Sequence, residues 1–183
     1  MDNHAIVGGS DDCIAVYPSD MAVALVALDA ELEMAGPKGF RKILLQDFYR
    51  LPGATPHITN DLGAGELITG VIIPKSDRET RSTYVKLRGR SSYEFASVSV
   101  AVVLAFEGGR PVDVTVALGG IGTTPWRLRL AEQQLVADGL APAGIEAYCD
   151  TVLAEANNRA ETAHKFTLTR GAVFRAFERL LES

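Results

Sequence analysis

The strongest constraint on the fold lies between residues 84 and 181. Three strand-like segments there follow one another with no helix between them, and three helices come after. The strands span Tyr84 to Leu87, Ala96 to Phe106 and Val112 to Leu118. In the second, Val98, Val100, Val102 and Leu104 alternate with Ser97, Ser99, Ala101 and Val103, the two-residue period of a pleated strand. Gly108-Gly109 separates the second from the third as a hairpin turn does, which predicts antiparallel neighbours. The helices are expected over about 127–137, 142–156 and 169–181. Ile145, Tyr148, Cys149, Val152 and Leu153 form a full apolar stripe in the second, and Val173, Ala176, Phe177 and Leu180 face inward in the third. Strands in a run followed by helices in a run imply an α+β architecture.

The first 75 residues have another rhythm. His4 to Val7 and Ile14 to Tyr17 read as short strands. Ser19 is a good N-cap for a helix ending near Asp29, with Asp20 in its first turn complementing the positive helix end. Ala24, Ala27 and Leu28 give that helix a narrow small-residue face. Ala30 to Ala35 alternates apolar and charged residues. Gly36-Pro37-Lys38-Gly39 is a turn leading to a partner strand, Phe40 to Leu45, and Glu66 to Ile73 is a further strand stopped by Pro74. The polar stretch Lys75 to Ser82 marks the expected boundary, dividing the chain into 1–77 and 78–183.

Composition narrows the function classes. With 183 residues, 47% hydrophobic and 22% charged, the chain has material for a real core. A net charge of −5 disfavours general nucleic-acid binding, and no apolar run is long enough to span a bilayer. Cys13 and Cys149 are far apart, which argues against a metal knuckle or a disulfide scaffold and suits a reducing cytoplasm. Cys13 is expected to be a buried thiol beside the glycine loop, and Cys149 a core residue. His4, His57 and His164 lack metal-ligand spacing, and no nucleophile–base pair or serine elbow is present, so neither a catalytic residue nor a metal ligand is assigned. Gly119-Gly120-Ile121-Gly122 lacks the lysine of a phosphate loop and reads as a tight strand-to-helix connection. Gly8-Gly9-Ser10 has two readings: a plain turn ahead of a capped helix, or a loop whose bare amides approach a ligand, with Asp20 accepting hydroxyl hydrogen bonds nearby.

Short strings along the chain carry a family resemblance. They are His4-Ala5-Ile6-Val7-Gly8-Gly9-Ser10, Cys13-Ile14-Ala15-Val16 and Pro18-Ser19-Asp20-Met21-Ala22-Val23-Ala24-Leu25. Further on come Gly65-Glu66-Leu67-Ile68-Thr69, Ile73-Pro74, Tyr84-Val85-Lys86-Leu87-Arg88 and Arg90-Ser91-Ser92-Tyr93-Glu94-Phe95-Ala96. Last are Ala117-Leu118-Gly119-Gly120, Pro125-Trp126-Arg127, Ala131-Glu132 and Lys165-Phe166. In this order they resemble the FAD-binding medium subunit of the xanthine dehydrogenase/carbon monoxide dehydrogenase family, the flavoprotein subunits of molybdenum hydroxylases, with a lean toward the aldehyde- or hydroxybenzoyl-CoA-type branch.

The resemblance implies the second subdomain of a vanillyl-alcohol-oxidase-like (PCMH-type) FAD-binding domain. It implies after it a CO dehydrogenase flavoprotein C-terminal-like domain, a three-stranded antiparallel sheet plus three helices. By position it implies Gly8, Gly9 and Ser10 near the flavin, and Asp20 holding the ribityl or diphosphate region. It places the backbone of Ile68 at the isoalloxazine edge and Lys86 near the ring. It implies an iron–sulfur small subunit with [2Fe-2S] clusters and a large subunit with the molybdenum cofactor. Electrons would pass from the clusters through FAD to an acceptor. Family members carry a further FAD subdomain ahead of the first matching string. The expectation is therefore a fragment or split-gene product that binds FAD weakly or not at all in isolation, with residues 80–183 folding at the least. An alternative is a flavin-free assembly module of the same complex. An open half-cleft also favours self-association, so a concentration-dependent homodimer of the isolated chain fits this reading.

Overall fold

The computed structural model describes residues 4–157 and 159–182. Two three-stranded antiparallel sheets dominate it. The larger has the order β4-β5-β6, with β4 at Glu79–Leu87, β5 at Val98–Glu107 and β6 at Arg110–Gly119. Glu107 pairs with Arg110 across Gly108-Gly109, whose φ angles of +57° and +77° belong to a two-residue hairpin turn. β4 starts five residues before the sequence pattern suggests. Its first turn of strand is polar and exposed, but pairing with β5 holds it, helped by Arg81 stacked 4.7 Å over the Phe106 ring.

β5 is central and buried on both sides, which is why its apolar run is nearly continuous. Val98, Val100, Val102 and Leu104 join Val114, Val116 and Leu118 of β6 in a core under α3 (Arg129–Asp138), α4 (Pro142–Leu153) and α5 (His164–Leu181). The predicted stripes of α4 and α5 are buried there as read, Cys149 included. Burial pushes the Cys149 thiol pKa up to about 12. α5 begins five residues earlier than its apolar pattern, because two inward positions are polar. Lys165 and Thr169 are both buried at four-residue spacing below Val173, and the Lys165 ammonium donates to the carbonyls of His4 (2.8 Å) and Gly120 (2.6 Å).

α1 (Asp20–Ala27) packs on the opposite face of this sheet. Ser19 caps it as predicted, its Oγ accepting from the Ala22 amide at 3.1 Å. The buried face is Ala22, Val23, Val26 and Ala27; of the predicted Ala24, Ala27 and Leu28, only Ala27 lies on it. The sheet surface beneath is made of Ser99, Ala101, Ala117 and Gly119, so the larger valines of α1 fill the interface. A Cβ at Gly119 would lie 2.6 Å from Val23 Cγ2, so only glycine permits this approach.

The smaller sheet has the order β2-β1-β3, from β1 (Glu31–Gly36), β2 (Gly39–Leu44) and β3 (Leu67–Ile72). A single helical turn, α2 (Leu45–Phe48), follows β2 and takes Leu45, the last residue of the expected strand, because Leu45 and Phe48 turn into the core against α1 and β1. The segments 4–7 and 14–17, expected as short strands, form only isolated bridges. They meet only at the His4–Ala15 bridge. Ile6 and Val7 instead thread into the large core, their amides donating to the Ile121 carbonyl. The second core spans both halves of the chain, joining Val23, Leu32, Met34 and Phe48 to Ala101 and Ala117. Arg127, its side chain 3% exposed, ties this junction together. It donates to Glu132, Asp29, Thr115 and the Val26 carbonyl. Burial alone would lower its pKa, but the hydrogen bonds to Glu132 and then Asp29 outweigh that and raise it.

Candidate functional site

Asp20 is the first residue of α1, and its carboxylate crosses to β4. Oδ2 accepts from Lys86 Nζ at 2.6 Å and Oδ1 from the Tyr84 hydroxyl at 3.0 Å. Tyr84 and Lys86 are two apart on one strand, so both side chains reach the same face and clamp one carboxylate. Burial raises the Tyr84 hydroxyl pKa; a hydrogen bond with Ser99 opposes this and the one with Asp20 adds to it. The phenol therefore stays protonated at neutral pH and acts as a donor.

Asp20 and Lys86 line a cleft of about 550 Å³ together with Arg88, Tyr93, Glu94 and Phe95. The loop between β4 and β5 shapes it. Glu94 accepts from the Arg90 amide at 2.7 Å, and the Arg90 guanidinium donates to the Tyr93 carbonyl. Tyr93 sits at φ +51° with its ring 94% exposed, and Phe95 is 64% exposed. A left-handed tyrosine costs on the order of 1–2 kcal/mol and persists because the loop bonds hold it. The cleft thus presents two aromatic faces, the cations Lys86 and Arg88, and a carboxylate acceptor.

Gly8, Gly9 and Ser10 lie elsewhere. They line a cleft of about 410 Å³ with Asp11, Asn157 and Arg159. Gly8 has φ +67°, and a Cβ there would sit 2.8 Å from the Trp126 ring, so this glycine is required by packing as well as by backbone shape. Its carbonyl accepts from Thr123 Oγ1 at 2.7 Å. Ser10 Oγ accepts from the amides of Asp12 and Cys13, folding the loop back on itself. Cys13 is half-buried, not buried as expected, because the loop carrying it runs over the surface. Gly120 (φ +75°) turns the chain sharply after β6, where a Cβ would lie 2.6 Å from the Ser97 carbonyl, but the connection to α3 runs over residues 120–128 and is not the tight one expected. Gly120 borders Asp20 across a narrow niche also lined by Tyr17, Ser19 and Gly119.

Ile68 is on β3, in the smaller sheet, opposite Met34. Ile68 and Val71 share the face on which Met34 and Leu32 are buried, yet they are 47% and 45% exposed. The core face of the sheet therefore continues past its helical cover onto an open apolar strip, while Leu67, opposite Ala35, is exposed on the other face. The structure thus joins Asp20 to Lys86, places the glycine loop in a separate cleft, and sets Ile68 on the other sheet.

Tyr84 was missed from sequence, although same-face spacing from Lys86 would have found it. Tyr93 and Phe95 sit in a loop without periodicity and left no such signal. The structural roles of Arg127 and Lys165 depend on partners more than 40 residues away. Among the described residues, no three His, Cys, Asp or Glu side chains gather to hold a metal, and no helix is long and apolar enough to cross a membrane.

Comparison with known proteins gives two family matches. The FAD binding domain in molybdopterin dehydrogenase matches residues 3–76, and the CO dehydrogenase flavoprotein C-terminal domain matches residues 82–180. The aldehyde oxidoreductase FAD-binding subunit PaoB of Escherichia coli (strain K12) is 45% identical over 169 residues, covering 91% of this chain and 49% of that protein. The carbon monoxide dehydrogenase medium chain of Afipia carboxidovorans is 28% identical over 160 residues, covering 86% and 54%. Among solved structures, a Cu,Mo-CO dehydrogenase in its cyanide-inactivated form superposes with a TM-score of 0.75 at 25% identity, covering 88% of this chain and 56% of that one. The chain spans about half the length of the curated relatives it matches.

Proposed function

Because this chain belongs to the family of FAD-binding medium subunits of the xanthine dehydrogenase/carbon monoxide dehydrogenase enzymes, we propose that it serves as the FAD-binding electron-transfer subunit of a molybdenum hydroxylase. The aldehyde-oxidising branch is favoured by the similarity to PaoB. The partners in this reading are an iron–sulfur small subunit and a molybdenum-binding large subunit. FAD, when bound, supplies reversible electron carriage between the clusters and an acceptor.

The observation that carries the reading is the Asp20–Lys86 pair opening onto a cleft with exposed Tyr93 and Phe95. These residues fit a flavin nucleotide. Aromatic faces suit a flat ring, Lys86 and Arg88 suit negative charge, and Asp20 can accept from sugar or ribityl hydroxyls. Lys86 near the ring favours its anionic reduced state by Coulomb attraction. Ile68 and Val71, on the smaller sheet and outside that cleft, would offer the ring apolar contact and, at Ile68, a backbone edge. Gly8 and Gly9 would offer backbone amides from their own cleft and Ser10 its hydroxyl, since the Ser10 amide donates to the Cys13 carbonyl at 2.9 Å. The division into 1–77, a partial FAD-binding domain, and 78–183, a CO dehydrogenase flavoprotein C-terminal-like domain, is part of this proposal, with Asp20 from the first and Lys86, Arg88, Tyr93 and Phe95 from the second meeting at the cleft.

FAD titration of the full chain, read by flavin fluorescence and by yellow colour retained through gel filtration, tests this. Weak, sub-stoichiometric binding is expected, and Asp20→Ala weakens it further while Lys86→Ala shifts the flavin potential more than its occupancy. Full affinity in Asp20→Ala rejects the role of that acid. A second reading, a flavin-free assembly module, is favoured by one feature: both Asp20 oxygens are already engaged by Tyr84 and Lys86. It predicts unchanged flavin fluorescence even with the iron–sulfur and molybdenum subunits added.

A further inference from the structure

The two sheets have four outer edges, and three of them carry guards. β2 has Arg41 and Lys42, β4 has Arg81 and Lys86, and β6 has Arg110 and Pro111. Charges and proline on an outer strand discourage pairing with another chain. β3, with the sequence Leu-Ile-Thr-Gly-Val-Ile, has neither. It pairs with β1 along one side, and no strand of the described residues runs along the other. Alternate peptide groups of an edge strand point away from its neighbour, so those of β3 are open to a further strand. Its side chains are open as well: Ile68 and Val71, on the core face of the sheet, are about half exposed. The pairing with β1 slips at Thr69, whose hydroxyl donates to the Glu33 carbonyl, so the regular run begins at Gly70 and has Val71 within it.

The charges around this edge select its occupant. A second copy of the chain offers the same four edges, and three of them would set a charge or a proline against β3. The fourth is β3 itself, and antiparallel pairing of β3 with its own copy brings no like charges together. It sets the Glu66 end of one strand at the Lys75 end of the other, so opposite charges meet at both ends. A two-fold axis normal to the sheet keeps the core faces of both copies on one side, which requires residues of the same face to pair. With Val71 on the axis, Gly70 lies opposite Ile72 of the second copy, and the apolar strip continues from one sheet into the other. Pro74 ends the ladder because it has no N–H to donate. We propose that this chain forms a two-fold homodimer through β3, joining the two small sheets into one of six strands in the order β2-β1-β3-β3-β1-β2. The interface lies on the smaller sheet and includes neither Tyr93 nor Phe95 of the Asp20–Lys86 cleft.

The full chain, free of flavin, is followed by sedimentation equilibrium over a concentration series, so the outcome does not depend on flavin binding. A monomer–dimer equilibrium is expected. Val71→Lys places two ammonium groups at the axis and raises the dimer dissociation constant by about tenfold or more, with circular dichroism unchanged because the position is half exposed. A second variant fixes the register. Directly opposed residues of antiparallel strands have Cα atoms about 4.5–5.5 Å apart, within the span of a disulfide. Val71→Cys, in a Cys13→Ser background where the remaining Cys149 is buried, therefore gives a covalent dimer under copper–phenanthroline oxidation. Leu130→Cys in the same background, exposed but remote from β3, does not. If Val71→Lys fails to fold, the cysteine pair decides. A chain that stays monomeric at every concentration, a dimer unaffected by Val71→Lys, one dissolved by Phe95→Ser instead, or no covalent dimer through Val71→Cys overturns the proposal.

Discussion

The two sheets have the same size and the same antiparallel pairing, yet they differ in cover. The β4-β5-β6 sheet is packed on one face by α3, α4 and α5 and on the other by α1, and Val98, Val100, Val102 and Leu104 are completely buried. The β2-β1-β3 sheet buries Leu32 and Met34 on β1 but leaves Ile68 and Val71, on the same face of β3, about half exposed. Its two edges also differ. β2 carries Arg41 and Lys42, charges that discourage chance pairing, whereas β3 is uncharged throughout. One sheet is covered on both faces while the other keeps an apolar edge strand open, so burial is unevenly divided between them.

That contrast can be broken by substitution. Arg127→Met removes the cation at the junction of the two sheets and leaves Glu132 buried without its partner. A loss of about 3–5 kcal/mol is expected from denaturant unfolding, and a loss near zero would show that the halves are stabilised independently. Phe177→Ala empties a completely buried position under the large sheet and is expected to cost about 3–5 kcal/mol in the same measurement. Val71→Ser on the open strip should fall within about 0.5 kcal/mol. Equal effects of these two would mean that the strip is as fully packed as the core.

The smallest expected effect concerns pH. The Glu66 carboxyl is held at about 2, below its ordinary 4.5, first by the hydrogen bond from Arg41 and then by that from the Gly63 amide. A lowered carboxyl pKa stabilises the fold above the unfolded value and loses that contribution as pH falls through the folded one. The acid side of the stability curve should therefore decline between about pH 4.5 and 2, and Glu66→Gln should flatten that limb by lowering the neutral-range stability toward the acid-end value, leaving the acid end little changed. An identical limb in the variant would remove Glu66 from the account.

Periodic segments were legible before any coordinates. The α4 and α5 stripes, the β5–β6 hairpin and the Ser19 cap stand as read because each depends on spacing within one element. The errors fall where partners come from afar. Segments 4–7 and 14–17 have strand composition, but only the Ala5 amide bonds between them, to Ile14, while those of Ile6, Val7 and Tyr17 are used by Ile121 and Gly122. The buried face of α1 follows from the small residues of β5 and β6 beneath it. Asp20 and Lys86 were both singled out from sequence, yet their contact across 66 residues, with Tyr84 as third member, appears only in the fold.

By itself, then, the order of residues determined the element types, the α+β class and the family, because turn glycines, apolar periods and short strings act locally along the chain. Tertiary structure alone decided which side chains meet: that one carboxylate bridges α1 and β4, that the glycine loop packs on Trp126, and that β3 is left uncovered. Those outcomes depend on how distant surfaces fill space and pair charges, and that information is spread over the whole chain.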